Sequence, residues 1–331
     1  MNSTTEVNHE KLMELFGNVF NDVAGSMAIM MSYLGDQTGV YRAMDKLGPA
    51  SVKDIARESN VDERYLLEWL SSNSGRGYVT YHDDEEKFSL SPEQAAVFAR
   101  ENEPTCIQGL VQGVVGQFVK EDVAVDVFQT GRGRPWGEHH ECCFCGTERF
   151  FRPAYAGHLL EEWIPAMEGV EEKLKKGAKV ADIGCGLGTS SMLMAEQYPN
   201  STIHAFDFHE PSIEEAKKRA EERGLSNLEF FVSDAAAIPK ESYDLACIFD
   251  AWHDMGDPVG VAKSIKDKLA DDGTFMVVEP MALDGLKNNI DNNPSSAMFY
   301  GFGTLICVPA SKAQPDGLGL GPQAGPKKLM G

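Results

Sequence analysis

The sequence predicts an α/β protein in which a doubly wound parallel sheet follows an α-helical winged-helix domain. Two observations lead to this prediction. From Lys175 onward, strand patterns alternate with single helices, an arrangement that forces the strands to pair in parallel. Strands are predicted over 178–183, 202–206, 228–232, 243–249 and 274–278, and helices over 189–197, 212–224 and 259–269, the second opened by an S-x-x-E capping box at Ser212. Before that region, three helical segments and a hairpin follow one another in the order of a winged helix. A length of 331 residues is enough for two domains, each with its own core.

The first predicted domain, residues 1–104, opens with one long amphipathic helix. Its apolar residues recur at helical spacing. They are Leu12, Leu15, Phe16, Val19, Phe20, Val23, Met27, Met30 and Leu34. A stripe of this length is usually part of a core or a dimer seam, so a homodimer through this domain is one expectation.

The winged-helix pattern follows in residues 39–90. Helices are predicted over 39–47, 52–58 and 61–70, with Ser51 as the N-cap of the second helix. A hairpin is predicted over 78–90, and its tip is acidic.

The acidic residues of the winged helix argue against DNA binding. Its third helix carries Asp62, Glu63 and Glu68 against the single Arg64, and the hairpin tip adds four more acids. A DNA-reading helix presents basic residues to phosphates, so DNA binding is not expected. The alternatives are dimerisation or a role as a wall of the substrate pocket.

The composition of the whole chain agrees with this interpretation. It has 30 Lys and Arg against 51 Asp and Glu, a formal net charge of −21, so nucleic acid and anionic membranes are not expected partners. No apolar run is long enough to cross a bilayer, and the N-terminus lacks the pattern of a secretory signal. Seven cysteines without an export signal predict free thiols and a cytoplasmic location.

Residues 105–170 are predicted to form a helical linker that contains a helical stretch around residues 155–163 and the motif HHECCFC (139–145). All of these residue types except Phe144 can bind a metal. Structural zinc sites generally use pairs of ligands in separated knuckles, and this cluster has no second pair. Burial of small thiols is therefore preferred, and no metal site is predicted.

The second predicted domain, residues 171–331, begins with a strand over 178–183 that runs into Gly184, Gly186 and Gly188. Glycines let the backbone turn tightly and approach a ligand closely. The spacing is not that of the dinucleotide fingerprint, because Thr189 stands where the third glycine would be.

Acidic residues at successive strand ends indicate which ligand the glycine loop binds. Asp182 suits an ammonium group, Asp207 can accept both hydroxyls of a ribose, and Asp234 can accept an adenine amino group. Phe208 could lie against the adenine ring. These residues would meet at one edge of the sheet, where open α/β folds bind ligands.

The strand over 243–249 leads into Asp250, His253 and Asp254. His253 is the candidate general base for an acceptor hydroxyl, and Asp254 or Asp250 could orient it. The alternative is a histidine that only lines the pocket or caps the next helix. Glu279, at the end of the fifth strand, is a second candidate for contacting the acceptor.

The series DIGCGLGT, HAFD, SDA and LADDGTFMVVEP resembles the motifs of class I S-adenosylmethionine (SAM)-dependent methyltransferases, whose sheet is Rossmann-like. With the winged helix in front, the chain is similar to a bacterial branch that includes mycobacterial members. The resemblance implies that Asp182, Gly184 and Gly186 hold the methionine part of SAM, and that Cys185 and Asp250 also belong to the cofactor site. It assigns Asp207 to the ribose and three residues to the adenine, namely Phe208, Asp234 and Ala235. It also implies a small-molecule hydroxyl or amine acceptor.

The sequence departs from the class after Pro280. Class I domains usually end with an antiparallel hairpin, but no later segment alternates like a strand, which predicts a truncated domain with an exposed edge. A helix is expected over 297–307, and residues 317–331 are expected to be unfolded. Three alternatives to a methyltransferase are a SAM-sensing regulator, a partner-binding protein that binds SAM without turnover, and a nicotinamide enzyme.

Overall fold

The computed structural model describes residues 7–330. Residues 1–6, on which the prediction of no secretory signal partly depends, lie outside this range. The chain divides into two compact units: one contains residues 1–116 and 145–153, and the other contains residues 117–144 and 154–331. Residues 105–170 are therefore shared between both units. None of the described helices has the length and apolar character of a membrane span.

The first unit contains the predicted winged helix. Its helices and strands are α1 (His9–Gln37), α2 (Val40–Leu47), α3 (Val52–Ser59), α4 (Glu63–Gly75), β1 (Thr80–His82), β2 (Lys87–Ser89) and α5 (Pro92–Phe98). Ser51 caps α3 as predicted, because its side chain accepts a hydrogen bond from the amide of Asp54. A core around Met44, Ile55 and Leu70 holds these elements together.

Helices then lead to the second unit. They are α6 (Gln108–Phe118), α7 (Glu121–Thr130), α8 (Glu141–Ala154), a π-helix (Tyr155–Trp163) and α9 (Val170–Lys176). The helix expected around residues 155–163 is therefore present, in the wider π form.

The second unit is built on a five-stranded parallel sheet in the order β5-β4-β3-β6-β7. The strands are β3 (Lys179–Ile183), β4 (Thr202–Asp207), β5 (Leu228–Val232), β6 (Tyr243–Phe249) and β7 (Leu269–Val278), and the helices between them are α10 (Thr189–Gln197), α11 (Glu210–Glu222) and α12 (Pro258–Lys266). The prediction of a doubly wound α/β sheet is confirmed.

Two local predictions in this unit were wrong. The S-x-x-E sequence at Ser212 was expected to open a helix as a capping box, but α11 already begins at Glu210. The Ser212 hydroxyl lies 2.7 Å from Nδ1 of His209 instead, one turn inside the helix. Pro211 explains the earlier start, since proline fits the first turn of a helix.

The end of the chain was also expected to be unfolded, and it is packed. After β7 come α13 (Leu286–Asn292), α14 (Ser296–Phe302), a second π-helix (Gly303–Cys307), α15 (Val308–Lys312) and α16 (Pro326–Met330). Gln323 is 7% exposed and donates a hydrogen bond to the carbonyl of Met281. Between Glu279 and Met330 the described chain contains no further strand, so β7 is an edge strand.

Candidate active site

The site lies where the parallel strands end. β3 is paired with β4 on one side and with β6 on the other, so the ends of all three strands lie next to one another. The chain order changes direction at β3, which is the switch point where ligands bind in open α/β sheets. The residues predicted to bind the cofactor lie at strand ends of this sheet or directly after them in the sequence.

The glycine loop after β3 has the backbone that the motif predicts. Gly184, Gly186 and Gly188 have φ values of +74°, +52° and +78°, which side chains rarely adopt. At Gly186 a Cβ would meet no atom within 4 Å, so the space above the loop is open to a ligand.

Asp182 lies beneath this loop and is fully buried. Its Oδ2 accepts hydrogen bonds from Ser190 Oγ at 2.7 Å and Ser191 Oγ at 2.5 Å. Its Oδ1 is buried and has no hydrogen-bond partner among the described residues. Burial raises the pKa of Asp182 to about 6, although the two serine hydroxyls oppose the shift. A cationic ligand would both satisfy Oδ1 and favour the charged form.

Asp207 joins the loop to the end of β4. Its Oδ2 accepts a hydrogen bond from the Gly186 amide at 2.9 Å, and its Oδ1 accepts one from the His209 amide at 2.8 Å. Burial raises the pKa of Asp207, and these amides partly offset that shift. Each carboxylate oxygen has a second lone pair with which it could accept a ribose hydroxyl.

The remaining residues assigned to SAM lie around these two acids. Phe208 is 54% exposed, as an adenine-stacking ring could be, and Cys185 is buried in the loop. Asp234 Oδ1 accepts a hydrogen bond from the Ala236 amide, 2.8 Å away, and Ala235 packs against the core of the sheet. The contacts of these four residues with SAM stay predictions.

His253 is held by carboxylates at both ring nitrogens. Glu279 lies against Nδ1, and Oδ1 of Asp254 lies 3.2 Å from Nε2. Burial alone would lower the pKa of His253, but Asp254 and Glu279 outweigh it and raise the pKa to about 9. The Trp252 amide donates to the other oxygen of Glu279 at 2.9 Å, which fixes this carboxylate in place.

Asp250 lies at the end of β6, and its side chain contacts Tyr155 rather than His253. Its Oδ2 accepts a hydrogen bond from the Tyr155 hydroxyl at 2.8 Å. Burial raises the pKa of Asp250 to about 7, with the Tyr155 hydrogen bond opposing. Its φ of +53° is uncommon for a residue with a side chain, and such backbone conformations concentrate at functional sites.

The sequence did not point to three of these contacts. Glu279 lies against His253, whereas Asp250 binds Tyr155 rather than the histidine; contact of Glu279 with the acceptor stays a prediction. The pairing of Phe249 with Val278 in adjacent strands explains the contact of Glu279 with His253, because it brings the ends of β6 and β7 together. Ser190 and Ser191 could have been found as hydroxyls in the first turn after the glycine loop. Tyr155 lies in the helical linker, where no motif marks it.

A cavity of about 690 Å³ also lies in the second unit. Gly321, one of its lining residues, donates through its amide to the carbonyl of His253 at 3.3 Å. Neither the side chain of His253 nor any strand-end acid lines the cavity, so its position gives no reason to assign it to the acceptor.

Comparison with known families identifies both units. Residues 174–317 match a family described as a methyltransferase domain, and residues 25–100 match the Rv2258c-like winged HTH domain. The chain therefore contains a methyltransferase domain and, before it, a winged-helix domain. The class predicted from the sequence motifs is thereby confirmed.

Individual relatives of this methyltransferase are distant. The sterol 24-C-methyltransferase erg6 of Aspergillus fumigatus is 30% identical over 172 residues, which cover 51% of this chain and 42% of that protein. The chain therefore spans less than half the length of that curated relative.

Two solved structures share its fold across most of both chains. Mitomycin 7-O-methyltransferase is 15% identical, with a TM-score of 0.66, over 93% of this chain and 89% of that one. Human N-acetylserotonin methyltransferase, solved in complex with SAM, is 16% identical, with a TM-score of 0.60, over 92% and 88% of the two chains.

SAM is the cofactor of this class, and the residues of this methyltransferase fit it. The unsatisfied buried oxygen of Asp182 suits the ammonium group of the methionine part. The open space above Gly186 admits a ligand close to the backbone, and Asp207 lies beside it at the next strand end. A cation is favoured because burial holds the pKa of several neighbouring carboxyls above the usual range.

Proposed function

We propose that this methyltransferase transfers the methyl group of SAM to a hydroxyl or amine group of a small molecule in the cytoplasm. When bound, SAM supplies an electrophilic methyl group on a sulfonium. The residues of the chain have two tasks: to align the acceptor with that methyl group and to take the acceptor's proton. Seven free cysteines favour a reducing compartment.

The observation that carries the proposal is the contact between Glu279 and Nδ1 of His253 at the ends of β7 and β6. A carboxylate at one nitrogen fixes the ring and stabilises the imidazolium that forms when the other nitrogen accepts a proton. Nε2 is then the atom that receives the acceptor's proton, and Asp254 must give way to the acceptor there. With a pKa of about 9, His253 is mostly protonated at neutral pH, so turnover is expected to rise with pH.

The test measures S-adenosylhomocysteine release from SAM in the presence of fractionated metabolite extracts. His253→Ala should bind SAM normally but lose turnover by about 100-fold or more, the usual contribution of a general base. Asp207→Ala should instead weaken SAM binding by about 1–3 kcal/mol, because it leaves polar partners unpaired. Equal turnover in wild type and His253→Ala would remove His253 from the mechanism.

A second candidate function is a SAM-binding regulatory or partner-binding protein with little turnover. It is favoured by the edge position of β7, which leaves a row of backbone groups open to another chain. In this case the protein would bind SAM, yet no extract would yield S-adenosylhomocysteine. Regulation through DNA is not favoured, because Arg64 of α4 forms an ion pair with Glu68 at 2.6 Å.

The winged-helix unit is proposed to form a homodimer through α1. Apolar side chains along this helix are exposed in the single chain, including Leu15 (62%), Phe16 (62%) and Phe20 (65%). Burial of such a stripe against a second copy would remove it from water. Light scattering should give a dimer for wild type and a monomer for Phe16→Glu with Phe20→Glu. A wild-type monomer at all concentrations would exclude this dimer.

A further inference from the structure

A cluster of three metal-ligating side chains lies beside the site, and the proposed function does not use all of it. His253 and Asp254 follow β6, while Cys307 ends the second π-helix, more than fifty residues later. One ligand atom from each residue lies within 4.8 Å of the other two. His253 and Cys307 are buried, at 4% and 6% exposure, so the fold holds the group together.

The distance between two of the ligand atoms suits a metal better than a hydrogen bond. Asp254 Oδ1 lies 3.2 Å from His253 Nε2 without an aligned hydrogen bond to it, and the Cys307 thiol is within hydrogen-bonding reach of the same carboxylate. In a tetrahedral zinc site with bonds of about 2.0–2.3 Å, neighbouring ligand atoms lie roughly 3.3–3.8 Å apart. The two atoms are therefore close to the separation that a shared ion requires.

The surroundings of His253 complete the arrangement. A histidine that binds a metal generally directs its other ring nitrogen to a carboxylate, which fixes the tautomer and the ring orientation. Glu279 occupies this position at Nδ1. An apolar cluster that includes Ile306, Leu305 and Trp136 packs around Cys307 and holds its side chain in place.

We propose that His253 Nε2, Asp254 Oδ1 and Cys307 Sγ form a three-ligand site for Zn²⁺. Nitrogen, oxygen and sulfur donors of these residue types are the ligands that zinc takes in proteins, and a fourth position would stay open to water. Cys307 loses its thiol proton to solvent when it binds the ion. Since the ion occupies Nε2, its binding blocks that atom from accepting a proton and should inhibit turnover. Only this predicted inhibition, and not the metal site itself, rests on the proposed function.

The first experiment measures metal binding without SAM or an acceptor. Apo protein is titrated with Zn²⁺ in competition with a chromogenic chelator, and with Co²⁺ to detect a thiolate-to-cobalt charge-transfer band. We expect one ion per chain and the band in wild type. Cys307→Ser should abolish the band, and Glu279→Gln should weaken Zn²⁺ binding about 10–100-fold, as loss of a carboxylate behind a metal-bound histidine does.

The matched control is Cys143→Ser, which changes another buried thiol in the same apolar cluster. It should keep both the band and the stoichiometry, and circular dichroism should give the same fold for all variants. Absence of one bound ion per chain, or a band that survives Cys307→Ser, would overturn the site. SAM affinity measured on the same samples separates this failure from failure of the proposed function.

A second measurement tests the inhibition. Once an acceptor is found, added Zn²⁺ should reduce turnover of wild type and of Cys143→Ser, and a chelator should restore it. Cys307→Ser should resist the ion at the same concentration. Equal inhibition of wild type and Cys307→Ser would show that the ion acts at another position, which contradicts the proposal.

Discussion

At the residue scale, the site contains several carboxyl groups whose pKa values are raised because the groups are buried. Asp182 and Asp250 have pKa values raised to about 6 and about 7, mainly by desolvation. A cation bound beside them favours their charged forms, so binding and ionisation are linked. This linkage gives the site a preference for a positively charged ligand over a neutral one.

The linkage predicts how SAM affinity depends on pH. Above pH 7 both carboxyls are ionised and affinity is highest; as the pH falls through 7 and then 6 they take up protons, and affinity falls by up to about tenfold per pH unit for each group. Calorimetric titration between pH 8 and pH 5 measures this. Asp182→Asn should flatten the lower part of the curve, whereas Asp244→Asn, at the start of β6, should not. Affinity that does not vary with pH would contradict the prediction.

Glu279 gives a second prediction at this scale. Its replacement by Gln removes a charge that raises the pKa of His253, so the rise of turnover with pH should move to lower pH. The ring also loses its orienting carboxylate, and kcat at the optimum should fall by about 10–100-fold while SAM affinity stays the same. Steady-state rates across pH check both parts. Glu241→Gln, which changes an exposed acid paired with Lys179, is the control.

At the element scale, the sequence predicted what short-range patterns encode. The strands 228–232 and 243–249 and the helix 189–197 have the predicted bounds, because each has a clear period and a turn at each end. The glycine loop and Asp207 were predictable because both belong to one local strand–helix–strand unit. The contact of Glu279 with His253 was not predictable from local patterns, because it depends on the pairing of β6 with β7.

The C-terminal segment shows the limit of composition as a guide. Its many glycines and prolines predicted an unfolded chain, yet polar side chains from α13 onward hold it in place. Asn293 Nδ2 donates hydrogen bonds to Gln323 Oε1 at 2.9 Å and to the Met281 carbonyl at 3.1 Å. Such contacts join residues thirty positions apart, which no local pattern reveals.

This network predicts the effect of Asn293→Ala. Asn293 is 3% exposed, so the substitution leaves buried partners unsatisfied and should lower the free energy of unfolding by about 1–3 kcal/mol. Limited proteolysis should then cut residues 317–330 faster than in wild type. Asn292→Ala, which removes an exposed amide one position away, should change neither measurement. Equal cleavage of both variants would count against the network.

At the scale of the whole molecule, the two units are stabilised by different means. The second is built on a five-stranded parallel sheet with helices between its strands, whereas the first is small and also relies on charge. Arg149 hydrogen-bonds to Asp36 at 2.8 Å and to Glu101 at 2.6 Å. The guanidinium and the Asp36 carboxylate are 15% and 5% exposed. This contact fastens residues 145–153 to α1, although more than a hundred positions separate them in the sequence.

Arg149→Met should therefore unfold the first unit more readily than the second. Removal of Arg149 should cost about 1–3 kcal/mol, below the roughly 3–5 kcal/mol of a fully buried pair, because Asp36 keeps an ion pair with Arg42 at 3.3 Å and Glu101 is 36% exposed. Denaturant titration should give an earlier transition for the first unit, while SAM affinity below that transition should equal that of wild type, since the strand-end acids belong to the second unit. Arg57→Met, which removes an exposed partner of Asp54, should shift the transition by less than about 1 kcal/mol. If SAM binding and the first unit were lost together, the second unit would depend on the first for its fold.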